Sequence, residues 1–279
     1  MQRVIQILFK NPLLIILPAA GIILLGASML LLMPDINRMM DIYSGMTDYT
    51  SFASNFDVQD MALIMVTSLK TSAFSLLYCA LFVIFISGYG NQQSAAVNGG
   101  KASFRVFFFG VRKLIGKVIL SFLLLTGIIT GFSLIVSIVT TPMIFANVLL
   151  EGSSQGNFLG MQKELQIGTL VIMTLIYPLI VLWLPAIFLD RQEGVIACFK
   201  NGLRAGVKKY FRMLAVVIIM QLPTLLLYIL SDNIYSMFKT PWFYLVYPYQ
   251  MIIIPIIVTY LFLQYDELKK QRNAAQSIL

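Results

Sequence analysis

Residues 13–33 read LLIILPAAGIILLGASMLLLM, twenty-one positions without a charge. An α-helix rises 1.5 Å per residue, so about 20 apolar residues cross the ~30 Å hydrocarbon core of a bilayer. A signal peptide has a shorter apolar run and a small-residue cleavage site after it. Here Met33-Pro34-Asp35 follows instead, so the run reads as an uncleaved first span.

Five more runs of the same kind lie downstream. The predicted spans are about 12–33, 61–89, 117–139, 167–189, 212–231 and 242–264. In the second, the apolar stretch 71–87 is short for a crossing, so its helix is expected to begin near Met61. Lys70 then sits near the outer boundary and snorkels outward, with a counter-ion or gating role as the sharper alternative. Strand-like alternation is absent, which excludes a β-barrel.

The composition agrees. Hydrophobic residues make up 59% of the 279 and charged ones only 11%, where soluble domains average about 25% charged. Net charge is +8. Because the cations flank apolar runs, anionic lipid headgroups are the simpler partner and nucleic acid is not expected.

The charges sort into alternate gaps. The first, third, fifth and seventh polar segments hold 16 of the 20 Lys and Arg but only 4 of the 12 Asp and Glu. The other three hold Arg38, Lys163 and Lys239 against eight acidic residues. By the positive-inside rule both termini are cytoplasmic. The expected fold is all-α: a single polytopic transmembrane domain over 1–279, with six helices, N-in and C-in.

Ten of those 16 cations fall in two related stretches, 101–117 and 200–212. A shift of 95 residues lays Ser103-Phe104-Arg105 on Cys198-Phe199-Lys200, Lys113 on Lys208 and Lys117 on Arg212. The repeats, around 99–120 and 194–215, read as amphipathic elbow helices lying in the interface, basic face on the headgroups. Candidate lipid or partner contacts are Arg105, Lys113, Lys117, Lys200, Arg204, Lys208 and Arg212. The plain reading is a membrane-gripping connector; the sharper one is a docking surface for a cytosolic ATPase or another membrane protein.

The run LPAIFLDRQEGVIACFKNGLRAGVKKYFRML (184–214) and its weaker upstream copy GGKASF (99–104) carry a family likeness. A span ends in Pro and an acidic residue; a Gly-centred amphipathic helix and basic residues follow before the next span. Over roughly 80–264 the chain resembles six-span bacterial and archaeal membrane proteins of the glycerophosphoryl diester phosphodiesterase membrane-domain type. The resemblance implies a six-helix bundle in a bacterial plasma membrane. It implies no phosphodiesterase activity, which needs a soluble barrel with His, Glu and metal ligands.

Chemistry-bearing groups are scarce. There is no histidine, which removes His-based acid–base catalysis and the commonest metal ligand. No Asp or Glu falls inside a predicted span, so a carboxylate proton relay is not expected. No phosphate-binding Gly-Lys loop is present, and Cys79 and Cys198 form no CxxC pair. Catalytic, cofactor and metal residues are therefore none.

What remains is a neutral polar layer of Tyr177, Gln221 and Gln250 beside Pro178, Pro223, Pro248 and Pro255. Prolines free backbone carbonyls and bend helices, so these spans could line a small cavity. The blander reading is interhelical glue, worth ~1 kcal/mol per bond. Gly127 and Gly131 form a GxxxG pair suited to a helix crossing or a homodimer face. Trp183, Trp242, Tyr244 and Tyr247 read as interfacial aromatics. The leading expectation is a non-enzymatic membrane protein acting through lipid or protein contacts, as a scaffold, assembly or stress-related factor. The alternative is the permease subunit of a two-component ATP-driven exporter. Oligomeric state is open.

Overall fold

Asn11-Pro12 makes the first corner. A residue before proline is pushed out of helical geometry, and Asn11 adopts φ −133°, ψ 71°. Helix α1 (Gln2–Lys10) therefore stops there and α2 (Leu13–Gly45) starts at 81° to it. Asn11 secures the corner: its Nδ2 donates to Ile7 O (2.9 Å) and its Oδ1 accepts from Ala102 N (2.7 Å). Residues 1–11 count in the sequence only as the first polar segment, yet α1 is an amphipathic helix with Val4 and Leu8 buried.

The computed structural model describes residues 1–45, 58–151, 172, 174–229 and 243–276. After α2 come α3 (Val58–Val97), α4 (Phe104–Glu151), the short α5 (Trp183–Leu189), α6 (Val195–Lys208), α7 (Tyr210–Ile229) and α8 (Phe243–Gln276). Residues 174–180 are helical and lead into α5 through a turn at Val181 and Leu182. No strand occurs among the described residues. α3 packs chiefly on α4, α2 on α8 and α3, α5 on α6, and α1 on α8.

Three helical stretches are long and apolar enough to cross a bilayer: Ile64–Val97, Phe104–Gly131 and Tyr247–Ala275. The bent pair α1 and Leu13–Ser28 makes a fourth if counted as one span. The apolar helices Thr174–Leu189 and Tyr210–Pro223 are shorter; both adjoin residues outside the described set. The predicted outer loop at 151–166 also lies outside it, apart from Glu151.

Several expectations change. The second span was expected to end near Tyr89, with 90–116 as a cytoplasmic segment. The helix itself runs on to Val97, and Asn91, Gln92 and Gln93 are fully buried. Gly99 (φ +85°) then turns the chain, a left-handed geometry that suits glycine. The repeat around 99–120 is no separate elbow: Ser103 caps the helix, accepting from Val106 N on Oγ (3.3 Å), and α4 continues unbroken from Phe104 to Glu151. Only the second repeat forms its own helix, α6, which breaks at Lys209 before α7.

Trp183 is buried, edge-on to Phe199, so it is no interfacial anchor. Nothing among the described residues lies within 4 Å of a side chain built at Gly127 or Gly131. Lys70 lies on the exposed side of α3.

Burial is lopsided. The core gathers at one end of the bundle, from Val4, Leu8 and Leu14 through Tyr89, Val97, Trp183–Leu189 and Leu261–Tyr265. Farther along the helices Leu76, Leu123 and Ile138 are exposed. Large apolar side chains facing outward along helices of this length suit a lipid surround, where they cost nothing.

Candidate functional site: a cation-capped helix end and an outward basic face

The short α5 ends at Leu189, and its last carbonyls need donors from elsewhere. Cations from three elements supply them. Arg191 Nε donates to Phe188 O (3.2 Å), Lys269 Nζ to Leu189 O, and Lys117 Nζ to Asp190 O (2.9 Å). Positive charge at a helix C-terminus also opposes the negative end of the helix dipole. Arg191 continues to Asn91 Oδ1 at 2.7 Å and so ties this end to α3.

Asp190 sits at the centre with its side chain 1% exposed. Tyr265 donates its hydroxyl to Oδ2, Lys269 pairs with Oδ1 at 2.9 Å, and Asn201 Nδ2 lies 3.3 Å from Oδ2. Arg272 stands 3.6 Å away. Burial alone raises such a carboxyl, but the Tyr265 hydroxyl, Lys269 and Arg272 outweigh it and hold Asp190 below its ordinary value. A carboxylate kept ionised and shut from solvent serves poorly as a general acid. It serves well as a knot joining α5, α6 and α8.

A second polar chain runs deeper. Pro18 has no N–H, so the Leu14 carbonyl four residues back loses its helical partner. Tyr89 of α3 donates its hydroxyl to that oxygen (2.9 Å). Gln93 Nε2 donates to the Tyr89 oxygen (2.8 Å), and Thr259 of α8 donates to Gln93 Oε1 (3.1 Å). The device recurs at Pro223: Tyr249 donates to Ile219 O, the carbonyl that this proline orphans.

α6 is clamped through a small-residue face. Cys198, Gly202, Ala205 and Gly206 are buried. A Cβ on Gly202 would sit 2.5 Å from Trp183 Cα, and one on Gly206 2.3 Å from the Leu179 carbonyl oxygen. Only glycine permits such an approach. Burial also pushes the Cys198 thiol up, away from the reactive thiolate. Beyond the helix, Lys209 Nζ reaches Gln264 (2.7 Å) and Glu267 (3.2 Å) on α8.

This clamp aims the rest of α6 outward. Lys200, Arg204 and Lys208 are exposed, as is Arg212 at the start of α7. Ile196, Val207 and Phe211 are exposed beside them. In the first repeat Arg105 and Lys113 are exposed, with Lys113 5.0 Å over the Phe109 ring. Lys117 turns inward to the Asp190 carbonyl, unlike the other residues predicted with it.

No protein-family model, curated protein or solved structure matches the chain.

The predicted polar layer is only partly assembled. Thr174 donates to Gln221 Oε1, joining the helix before α5 to α7. Tyr177 is exposed and Gln250 half-buried, and no described hydrogen bond joins either to Gln221. Sequence reading missed Tyr89, Gln93, Asp190 and Tyr265. The adjacent amides of Asn91-Gln92-Gln93 resembled a solvated loop, and Asp190 a solvated boundary charge. The one available signal was Pro18, whose orphaned carbonyl had to find a donor.

Proposed function

We propose that this chain is a non-enzymatic multi-pass membrane protein acting through lipid or protein contacts at its basic face. In this reading it has six spans, both termini in the cytoplasm and a home in a bacterial plasma membrane. The observation that carries the reading is the build of α6. One face is locked on the bundle by Gly202 and Gly206, which leaves Lys200, Arg204 and Lys208 to face outward. A helix fixed this tightly and charged this evenly suits binding a surface.

The test is charge reversal of K200E/R204E/K208E in the full chain, purified in mild detergent. The expected result is loss of anionic-lipid binding or of a co-purifying protein, with thermal stability kept. Unchanged contacts of both kinds would refute the reading. The topology has its own check: single cysteines at Ser153 and Arg204, in a C79S/C198A background, should label from opposite sides of the membrane.

One observation bears on the exporter-subunit alternative. Ile196, Val207 and Phe211 are exposed among the cations, apolar area as open to a protein partner as to the bilayer interface. Capture of a cytosolic ATPase by wild type but not by F211A would support that reading.

A further inference from the structure

Between α1 and the turn after α3 lies a cavity of about 380 Å³. Arg3, Gln6, Ile7, Lys10 and Asn11 form one wall, and Ala96, Val97, Gly99, Gly100 and Lys101 the other. Three cations line it and no carboxylate does. Lys269 and Arg272 by contrast hold Asp190, and Lys209 holds Glu267. Among the described residues Arg3, Lys10 and Lys101 make no ion pair. Gln6 adds an amide group, and the two glycines leave room. A cavity with this lining takes an anion with several acceptor oxygens, which is the chemistry of a phosphate ester.

The rest of α1 says where that phosphate comes from. At 100° per residue α1 has three faces. Val4 and Leu8 are buried in the bundle. Arg3, Gln6 and Lys10 face the cavity. Met1, Ile5 and Phe9 form a third stripe, 78%, 48% and 82% exposed. The 81° corner at Asn11 turns this helix across the end of α2. A helix lying across a span's end, with an exposed apolar stripe beside a cationic one, sits at the headgroup level of a bilayer.

We propose that this cavity is a binding site for the headgroup of an anionic phospholipid, with Arg3, Lys10 and Lys101 holding the phosphate. It rests on the lipid-contact reading above but uses a different site from α6, so the two can fail separately.

The experiment is native mass spectrometry of the full chain in detergent, titrated with phosphatidylglycerol and with phosphatidylcholine of the same acyl chains. Wild type should bind phosphatidylglycerol at least roughly tenfold more tightly, each cation near the surface contributing roughly fivefold. R3Q/K10Q/K101Q should lose the preference, and K200Q/R204Q/K208Q should keep it. Q6E, one carboxylate among the three cations, should also lose it and serves if the triple variant fails to fold. Loss of preference only in the α6 variant would overturn the cavity site and leave the α6 reading standing. Equal loss in both variants, or no preference in wild type, would also overturn the site. Displacement of phosphatidylglycerol by inorganic phosphate or glycerol phosphate at matching concentration would overturn the lipid source.

Discussion

At the scale of the residue, two groups decide how this bundle holds. Asp190 is the first. Its carboxyl is lowered in the folded chain, so its stabilisation is complete above the ordinary carboxylate value of 3.8 and fades as pH falls below it. Thermal unfolding in detergent should show an acid loss that D190N lacks. At neutral pH D190N should cost roughly 2–3 kcal/mol, below the usual figure for a broken buried pair because Lys269 and Arg272 are partly solvated. Tyr89 is the second. Y89F should cost ~1 kcal/mol by leaving the Leu14 carbonyl bare. On a P18A background, where the backbone N–H returns, the cost should shrink; an additive double-mutant cycle would show that Tyr89 does not serve that carbonyl.

At the scale of the element, α6 was the most legible part and α4 the least. The i+4 spacing of Lys200, Arg204 and Lys208 gave the outward stripe directly, because charge placement is a local property. The same pattern at Arg105 and Lys113 continues straight into α4, and nothing local distinguishes the two outcomes. The break falls at Lys209, whose side chain is held by Gln264 and Glu267 of α8, a contact 55 residues or more away in sequence. Glycine spacing was no guide to the close approach among the described residues: it lies at Gly202 and Gly206, while Gly127 and Gly131 meet no described residue within 4 Å. Gly206→Ala should therefore lower the melting temperature and loosen α6. Gly116→Ala, with nothing within 4 Å, should be neutral or stabilise by up to ~1 kcal/mol through helix propensity.

At the scale of the whole molecule, length and apolarity identified helices fit to cross a bilayer, but polarity did not show how far the helices themselves run. Amides at a helix terminus look solvated unless their partners are known. Asn91 and Gln92 find theirs in the Val106 and Ser103 carbonyls, across the turn that follows α3. Of the predicted contact residues, Lys117 is instead held by the Asp190 carbonyl. The exposed mid-helix residues make a separate prediction. If Leu123 faces acyl chains, L123R should lower membrane insertion by roughly 2.5–3.5 kcal/mol, read as reduced yield in the membrane fraction. Normal yield would place that face against protein or water.

The packing of α1 on α8 has a consequence in time. Helix α1 leaves the ribosome well before α8, on which it rests and which begins at Phe243. At about 5–20 residues per second, synthesis of the intervening chain takes on the order of 10–50 s. Throughout that interval Val4 and Leu8 lack their seat and the cavity wall formed by α1 is not fixed. Docking of α1 thus waits for α8 and cannot precede its synthesis.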